Sequence, residues 1–215
     1  MVVCGTGTGV GKTFVTAALA VAIKRAGVEV AARKPVQSYA PEDRETDVGR
    51  LAEATAEDPS EVGRREWSYP APLAPPMAAE LLGRQVPTIA EIAASLSSWR
   101  DRPGVTLVES VGGVRSPLGS DGDSVDLIGV LAPDLVVIVA VASLGVLNAV
   151  RLTADALVGA QLVVHLNRFD DEDLQRRNRA WLERWGYLVT ADPSKLSEIV
   201  LAARPGGTER QTAPS

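Results

Sequence analysis

The strongest chemical signal is a glycine-rich run that ends in a lysine and a threonine, Gly5-Thr-Gly-Thr-Gly-Val-Gly-Lys-Thr13. A short apolar run precedes it and apolar residues at helical spacing follow it, so it joins a strand to a helix. Glycines let backbone N–H groups face an anion, and a helix start adds positive potential. We predict that Lys12 contacts the β- and γ-phosphates of a nucleotide and that Thr13 offers its hydroxyl to Mg²⁺. The usual motif has its first glycine where this chain has Thr6, so the loop, counted from Gly5, is one residue longer.

A magnesium–nucleotide site also needs carboxylates, because Mg²⁺ prefers oxygen ligands and commonly takes one or two of them. Glu109 ends an apolar run and is followed by Ser-Val-Gly-Gly, so it should project at the carboxyl edge of a sheet, where ligands bind in open α/β folds. Asp47 follows a polar loop at the start of a helix. The alternatives are a solvated glutamate at a strand end and an ordinary helix N-cap for Asp47.

Lys34 follows a strand and precedes Pro35, which favours an extended or turn conformation for the lysine. A lysine at the carboxyl end of a strand points into the same crevice as the phosphate loop. An exposed surface lysine is the equally weighted alternative from position alone.

Composition narrows the function classes. The 215 residues carry a formal charge of −5, with 46% hydrophobic and 23% charged residues, which indicates a globular chain and argues against binding bulk nucleic acid. The single cysteine, Cys4, excludes an internal disulfide, and with one histidine, His165, the chain lacks the residues for a multi-cysteine or histidine-clustered metal site.

The longest apolar run, residues 135–142, is shorter than the ~20 residues of a membrane-spanning helix. No secretory signal is visible, so we expect a cytoplasmic protein without a membrane partner.

Apolar runs and helical patterns alternate along the chain. The runs lack polar alternation, which indicates strands buried on both faces. The alternation predicts an α/β fold with a doubly wound, mostly parallel sheet of the P-loop NTPase type. Predicted strands cover residues 2–4, 28–32, 105–108, 135–142 and 162–165; predicted helices cover 13–26, 47–56, 90–99, 147–157 and 174–185.

We predict a single domain over residues 1–203, with a disordered tail at 204–215 because that segment is polar and rich in Gly, Pro and Thr. Composition predicts surface loops at two further segments. They are the proline-rich residues 69–77 and the Gly-, Ser- and Asp-rich residues 115–124.

Several short motifs, in order over about residues 1 to 160, together resemble the dethiobiotin synthetase family. They are the phosphate loop, Lys34-Pro-Val-Gln-Ser38, Asp47, Leu107-Val-Glu109 with Gly112-Gly113, and Leu144-Gly-Val-Leu-Asn148 with Leu152-Thr153. The proline-bearing segment at 69–75 also resembles a loop of that family. The chain departs from the family's pattern at Ser110-Val111, where a small Gly-Ala pair is usual, and at Ala149, where histidine is common.

The resemblance implies a homodimeric ATP- and Mg²⁺-dependent enzyme that carboxylates 7,8-diaminononanoate with CO₂ and closes the ring of dethiobiotin. By position, Lys34 is the catalytic lysine, acting with Lys12 and Thr8. The metal ligands implied are Thr13, Asp47 and Glu109. The nucleotide contacts implied are Gly9, Val10, Gly11, Lys12, Thr13, Phe14, Asp47, Glu109, Gly112 and Asn167. The substrate contacts implied are Thr8, Lys34 and Ser38, with Gly145, Val146, Leu147 and Asn148 receiving the substrate carboxylate from the neighbouring subunit.

Two other functions remain as alternatives. A partitioning-type or metal-carrier ATPase shares the fold, but its loop carries a lysine four residues before Gly11, where this chain has Gly7. A non-catalytic nucleotide-binding module is the second alternative, and the retained Thr13, Asp47, Glu109 and Lys34 argue against it.

Overall fold

A central parallel sheet organises the computed structural model, which describes residues 1–97 and 104–204. Within these residues the sheet has six strands in the order β2-β5-β1-β6-β7-β8, and every neighbouring pair is parallel. A separate parallel pair joins β3 to β4. The strands are β1 Val2–Gly5, β2 Val30–Arg33, β3 Gln37–Ser38, β4 Ser68–Tyr69, β5 Val105–Glu109, β6 Val136–Val141, β7 Leu162–Asn167 and β8 Val189–Thr190.

Helices connect the strands and cover both faces of the sheet. They are α1 Lys12–Arg25, α2 Asp47–Thr55, α3 Pro59–Val62, α4 Pro75–Leu81, α5 Ile89–Ser95, α6 Ser124–Leu131, α7 Val146–Asp155, α8 Asp173–Arg184 and α9 Pro193–Ala202, with a 3₁₀ turn at Arg65–Trp67. The strand order reverses direction on either side of β1. Ligands of such sheets bind beyond the carboxyl ends of the strands at this switch point.

The core explains why the strands lack polar alternation. Side chains alternate between the two faces, so in β1 Val2 and Cys4 pack into one apolar cluster and Val3 into the other. In β6, Val136 and Ile138 likewise face the first cluster, while Val137 between them faces the second. Both faces are covered, which confirms the predicted doubly wound α/β sheet.

Some predicted boundaries were wrong for physical reasons. The proline-rich segment is only partly a loop, because α4 begins at Pro75 and prolines are compatible with the first turn of a helix. The predicted helix at 90–99 ends at Ser95 within the described residues, and its last two positions lie outside them. Of the predicted tail at 204–215, all but the first residue also lies outside the described residues.

In the part of the chain that the structure describes, no helix combines the length and apolar character needed to cross a bilayer.

Candidate phosphate and metal site

The phosphate loop connects β1 to α1 at the carboxyl edge of the sheet. The Lys12 ammonium donates to the carbonyl of Gly7 at 3.0 Å and to that of Gly112 at 2.8 Å, so it joins this loop to the one after β5. Gly11 precedes α1 with φ +94°, and a Cβ there would lie 2.1 Å from Asn167 Nδ2. Only glycine fits this position, because both the backbone angle and the close approach exclude a side chain.

Lys12 is buried at the base of this loop. Burial, reinforced by the charge of Lys34, lowers the pKa of the Lys12 ammonium to about 8. Glu109 and Asp47 oppose this shift only in part, and a bound polyphosphate would add further negative charge and raise the pKa of Lys12.

Thr13, at the second position of α1, lies between two carboxylates from other elements. Its hydroxyl oxygen is 2.8 Å from Asp47 Oδ1, at the start of α2, and 2.8 Å from Glu109 Oε1, at the end of β5. The three residues predicted as metal ligands therefore converge on one point although they are up to 96 positions apart in sequence.

Lys34 completes this cluster from the carboxyl end of β2. Its ammonium is 2.7 Å from Glu109 Oε1 and 3.0 Å from Asp47 Oδ2, and it also donates to the Ser110 carbonyl at 3.0 Å. Burial alone would lower the pKa of Lys34, but the two carboxylates outweigh it and raise the pKa above its usual value. Burial likewise opposes the effect of Lys34 on Asp47, and the net result is a lowered pKa for that carboxyl. The ammonium of Lys34 and the carboxylate of Asp47 are therefore both charged near neutral pH.

The donor set fits a small divalent cation. Glu109 Oε2 is buried and makes no hydrogen bond among the described residues, so this carboxylate has an oxygen left for a ligand. The described residues include no group of three or more His, Cys, Asp and Glu side chains that could hold a metal ion, so a cation at this site would combine the two carboxylates with the Thr13 hydroxyl. Hard oxygen donors of this kind suit Mg²⁺, which retains several waters.

A cleft of about 830 Å³ opens above these groups. Most of the predicted site residues line it: Thr8, Gly9, Gly11, Lys12, Thr13, Phe14, Lys34, Ser38, Asp47, Gly112 and Asn167. Glu109 lies buried beneath its floor, and Val10 is buried within the loop. The Ser38 hydroxyl donates to the Leu73 carbonyl at 2.6 Å, which ties the cleft's proline-rich wall to β3.

Asn167 and Arg168 hold the phosphate loop from the carboxyl end of β7. Asn167 Nδ2 donates to the Val10 carbonyl at 2.9 Å, and the Arg168 guanidinium donates to the Gly9 carbonyl at 3.1 Å. Sequence reasoning selected Asn167 but missed Arg168. Arg168 directly follows Asn167 at the end of an apolar strand, but nothing in the sequence signals its contact with the distant Gly9.

The predicted carboxylate-binding residues at the start of α7 do not line this cleft. Gly145 precedes the helix with φ +92°, and the Val146 N–H donates to the Ser143 carbonyl at 3.2 Å. Leu144, just before them, is 85% exposed.

Cys4 and His165 are buried away from the cleft. Burial raises the pKa of the Cys4 thiol to about 12 and lowers that of His165 to about 4, although Asp192 opposes the latter shift. Both side chains are therefore neutral near pH 7.

A family model described as an AAA domain matches residues 1–177. A protein of Mycobacterium sp. (strain JLS) named ATP-dependent dethiobiotin synthetase BioD is 41% identical over 170 residues, covering 75% of this chain and 71% of the relative. A protein of the same name from Mycobacterium tuberculosis (strain ATCC 25177 / H37Ra) is 41% identical over 165 residues, covering 75% and 70%.

Among solved structures, the chain is similar to pNOB8 ParA, with a TM-score of 0.52 and 17% sequence identity over 89% of this chain and 74% of the other. At that identity the likeness concerns the fold alone. It agrees with the P-loop NTPase architecture predicted from the sequence.

Proposed function

Because the chain belongs to the family of ATP-dependent dethiobiotin synthetases, a family of ligases in biotin biosynthesis, we propose that it joins CO₂ to 7,8-diaminononanoate at the expense of ATP. The products are dethiobiotin, ADP and phosphate. The observation that carries this proposal is the convergence of Thr13, Asp47, Glu109 and Lys34 at 2.7–3.0 Å on the floor of a cleft that also contains Lys12.

The reaction has three bond-forming steps. One substrate amine attacks CO₂ and loses a proton, which leaves a carbamate anion. A carbamate oxygen then takes the γ-phosphoryl group as its bond to ADP breaks. The second amine attacks the carbamate carbon, phosphate leaves with the carbamate oxygen, and loss of a proton completes the ureido ring. Negative charge is present or redistributed at each of these stages, so fixed cations are the principal catalytic requirement.

Lys34 and Lys12 supply this positive charge. The raised pKa of Lys34 keeps it an ammonium, so it serves as an electrostatic stabiliser of the carbamate and of the transferred phosphoryl group and not as a proton acceptor. Lys12 contacts the β- and γ-phosphates, and the loop residues Gly9 to Phe14 surround the phosphates with backbone N–H groups. Thr8 and Ser38 line the cleft beside Lys34, where they contact the diamine or its carbamate.

Thr13, Asp47 and Glu109 would hold Mg²⁺ together with the nucleotide. The bound ion neutralises charge on the phosphate oxygens. Gly112 and Asn167 extend the nucleotide contacts on either side of the loop.

We propose a homodimer in which Gly145, Val146, Leu147 and Asn148 of one subunit receive the carboxylate of the substrate bound in the other. Three observations support this arrangement. These residues do not line the cleft of their own chain, and the helix start that they form suits an anion. The neighbouring apolar side chains Leu144 and Leu152 are also exposed on the same segment.

The test is an incubation with diaminononanoate, bicarbonate, Mg²⁺ and ATP, analysed by mass spectrometry for dethiobiotin. We expect product only when all four are present, and none from Lys12→Ala. ATP hydrolysis that proceeds equally without the diamine, with no dethiobiotin formed, would instead favour a nucleotide-driven switch.

A further inference from the structure

The side chain of Gln37 connects the start of α2 to the β3–β4 pair. Its carboxamide oxygen accepts from the Val48 N–H at 3.2 Å, and its amide nitrogen donates to Ser68 Oγ at 3.1 Å. Ser68 in turn donates to the Arg64 carbonyl at 2.9 Å. Gln37 is only 5% exposed, so these contacts are made in the interior.

The contact with Val48 meets a specific need of the helix. The first N–H groups of an α-helix lack partners within the helix. Thr46 accepts from the Gly49 N–H at 3.2 Å, and Gln37 accepts from the Val48 N–H. The two backbone N–H groups that follow Asp47 are thereby held by side-chain acceptors, and one acceptor, Gln37, belongs to a different element.

Asp47 depends on such support more than Glu109 does. The Glu109 side chain is fully buried at the end of a central strand, whereas the Asp47 side chain is 40% exposed on the first residue of a surface helix. The position of the Asp47 carboxylate is therefore determined by how the start of α2 is anchored.

The anchor and the catalytic lysine belong to one short segment. Lys34 contacts the Asp47 carboxylate directly. Gln37, three residues after Lys34, accepts from the N–H of Val48, the residue after Asp47. Any displacement of this segment would alter the lysine and the carboxylate together.

We propose that Gln37 is a positioning residue that places Asp47 for metal–nucleotide binding. This inference rests on the proposed function, because it assumes that Asp47 is a metal ligand. Partners that orient metal ligands typically change metal affinity by about 10–100-fold when they are removed.

The test measures Mn²⁺ binding by electron paramagnetic resonance, in the presence of ADP and the absence of diaminononanoate. Gln37→Met removes both hydrogen bonds at similar length, and we expect its Mn²⁺ affinity to fall about 10-fold or more. Gln37→Glu keeps an acceptor for Val48 and should recover most of the affinity. Gln161→Met, the same substitution at an exposed glutamine, serves as the control and should match the wild type.

A double-mutant cycle with Asp47→Asn distinguishes positioning from general destabilisation. If Gln37 acts through Asp47, Gln37→Met adds little further loss of Mn²⁺ affinity in the Asp47→Asn background. Full additivity, or unchanged affinity in Gln37→Met, would overturn the inference. If Gln37→Met does not fold, Gln37→Asn, which retracts the amide from Val48, takes its place under the same criteria.

The outcomes also separate this inference from the proposed function. Absence of Mn²⁺ binding by the wild-type protein with ADP would overturn both the metal site and the role of Gln37. Normal binding by the wild type together with normal binding by Gln37→Met would overturn only the role of Gln37.

Discussion

The ammonium of Lys34 lies 2.7 Å from Glu109 Oε1, with both groups buried at the floor of the cleft. The two residues are 75 positions apart; Lys34 directly follows β2, and Glu109 ends the neighbouring strand β5. Their contact places the proposed catalytic cation and a proposed metal ligand at one point.

Lys34→Gln should reduce dethiobiotin formation by about 100-fold or more, because a fixed charge at the reacting groups is lost. ATP binding, which depends mainly on Lys12 and the loop backbone, should change little. The measurements are the turnover rate and the ATP affinity of Lys34→Gln and of the wild type, each made on the same preparation. An ATP affinity that falls as much as turnover would make Lys34 a nucleotide clamp instead of a catalyst.

Glu109→Gln should abolish activity while the fold is retained. The amide keeps the size of the side chain but removes a metal ligand, and Lys34 retains Asp47 as an ion-pair partner. Glu109→Ala should also be inactive, and it leaves a cavity beside a buried ammonium, so it should unfold more readily. Product formation measures the loss of activity in both variants, and thermal unfolding measures their stability. Activity near that of the wild type in either variant would refute Glu109 as a metal ligand.

Nucleotide affinity should weaken as pH rises above about 8. The free protein's Lys12 has its pKa lowered to about 8 by burial and by Lys34, so at higher pH the group must take up a proton to bind a polyphosphate. Calorimetric titration with ADP at constant metal across this range measures the effect. Affinity that stays constant well above pH 8 would show that binding does not require the charged lysine.

Acid should destabilise the fold through His165. Burial lowers its pKa to about 4 from 6.5, so between these values the unfolded chain binds a proton that the folded chain does not. Stability is therefore lost as pH falls through this window, by up to about 3 kcal/mol. Urea unfolding of the wild type and of His165→Asn should diverge in pH dependence there, and parallel profiles would contradict the assignment.

A shared site predicts complementation between inactive variants. Asn148→Asp should repel the substrate carboxylate at the start of α7, and Lys34→Gln should lose catalysis in the cleft. Mixed dimers would contain one site in which neither substitution is present. Activity restored on mixing and re-equilibrating the two variants supports the arrangement, and a mixture as inactive as its components would exclude a contact across the interface.

Much of the fold could be predicted because the local signals agreed with the tertiary structure. Apolar runs marked the central strands, and Gly11-Lys12-Thr13 marked the turn into α1. The short pair β3–β4 was not predictable, since strands of two residues carry no periodicity. The start of α4 at Pro75 was missed because a proline-rich sequence gives the same signal in a loop and in a first helical turn.

The candidate site was predictable where a side chain ends a strand or a motif. Lys34 and Glu109 both do so, and the sheet brings such ends together. Arg168 and Gln37 were missed for a different reason. Their contacts with Gly9 and Val48 depend on how loops and a helix start pack in three dimensions, which no spacing in the sequence encodes.

The most direct measurement is the fate of ¹³C-bicarbonate supplied with diaminononanoate, Mg²⁺ and ATP. The proposed reaction predicts labelled dethiobiotin and the release of ADP in equal amounts, with both lost in Lys34→Gln. Release of ADP at the same rate without the diamine, with no label in dethiobiotin, would contradict it.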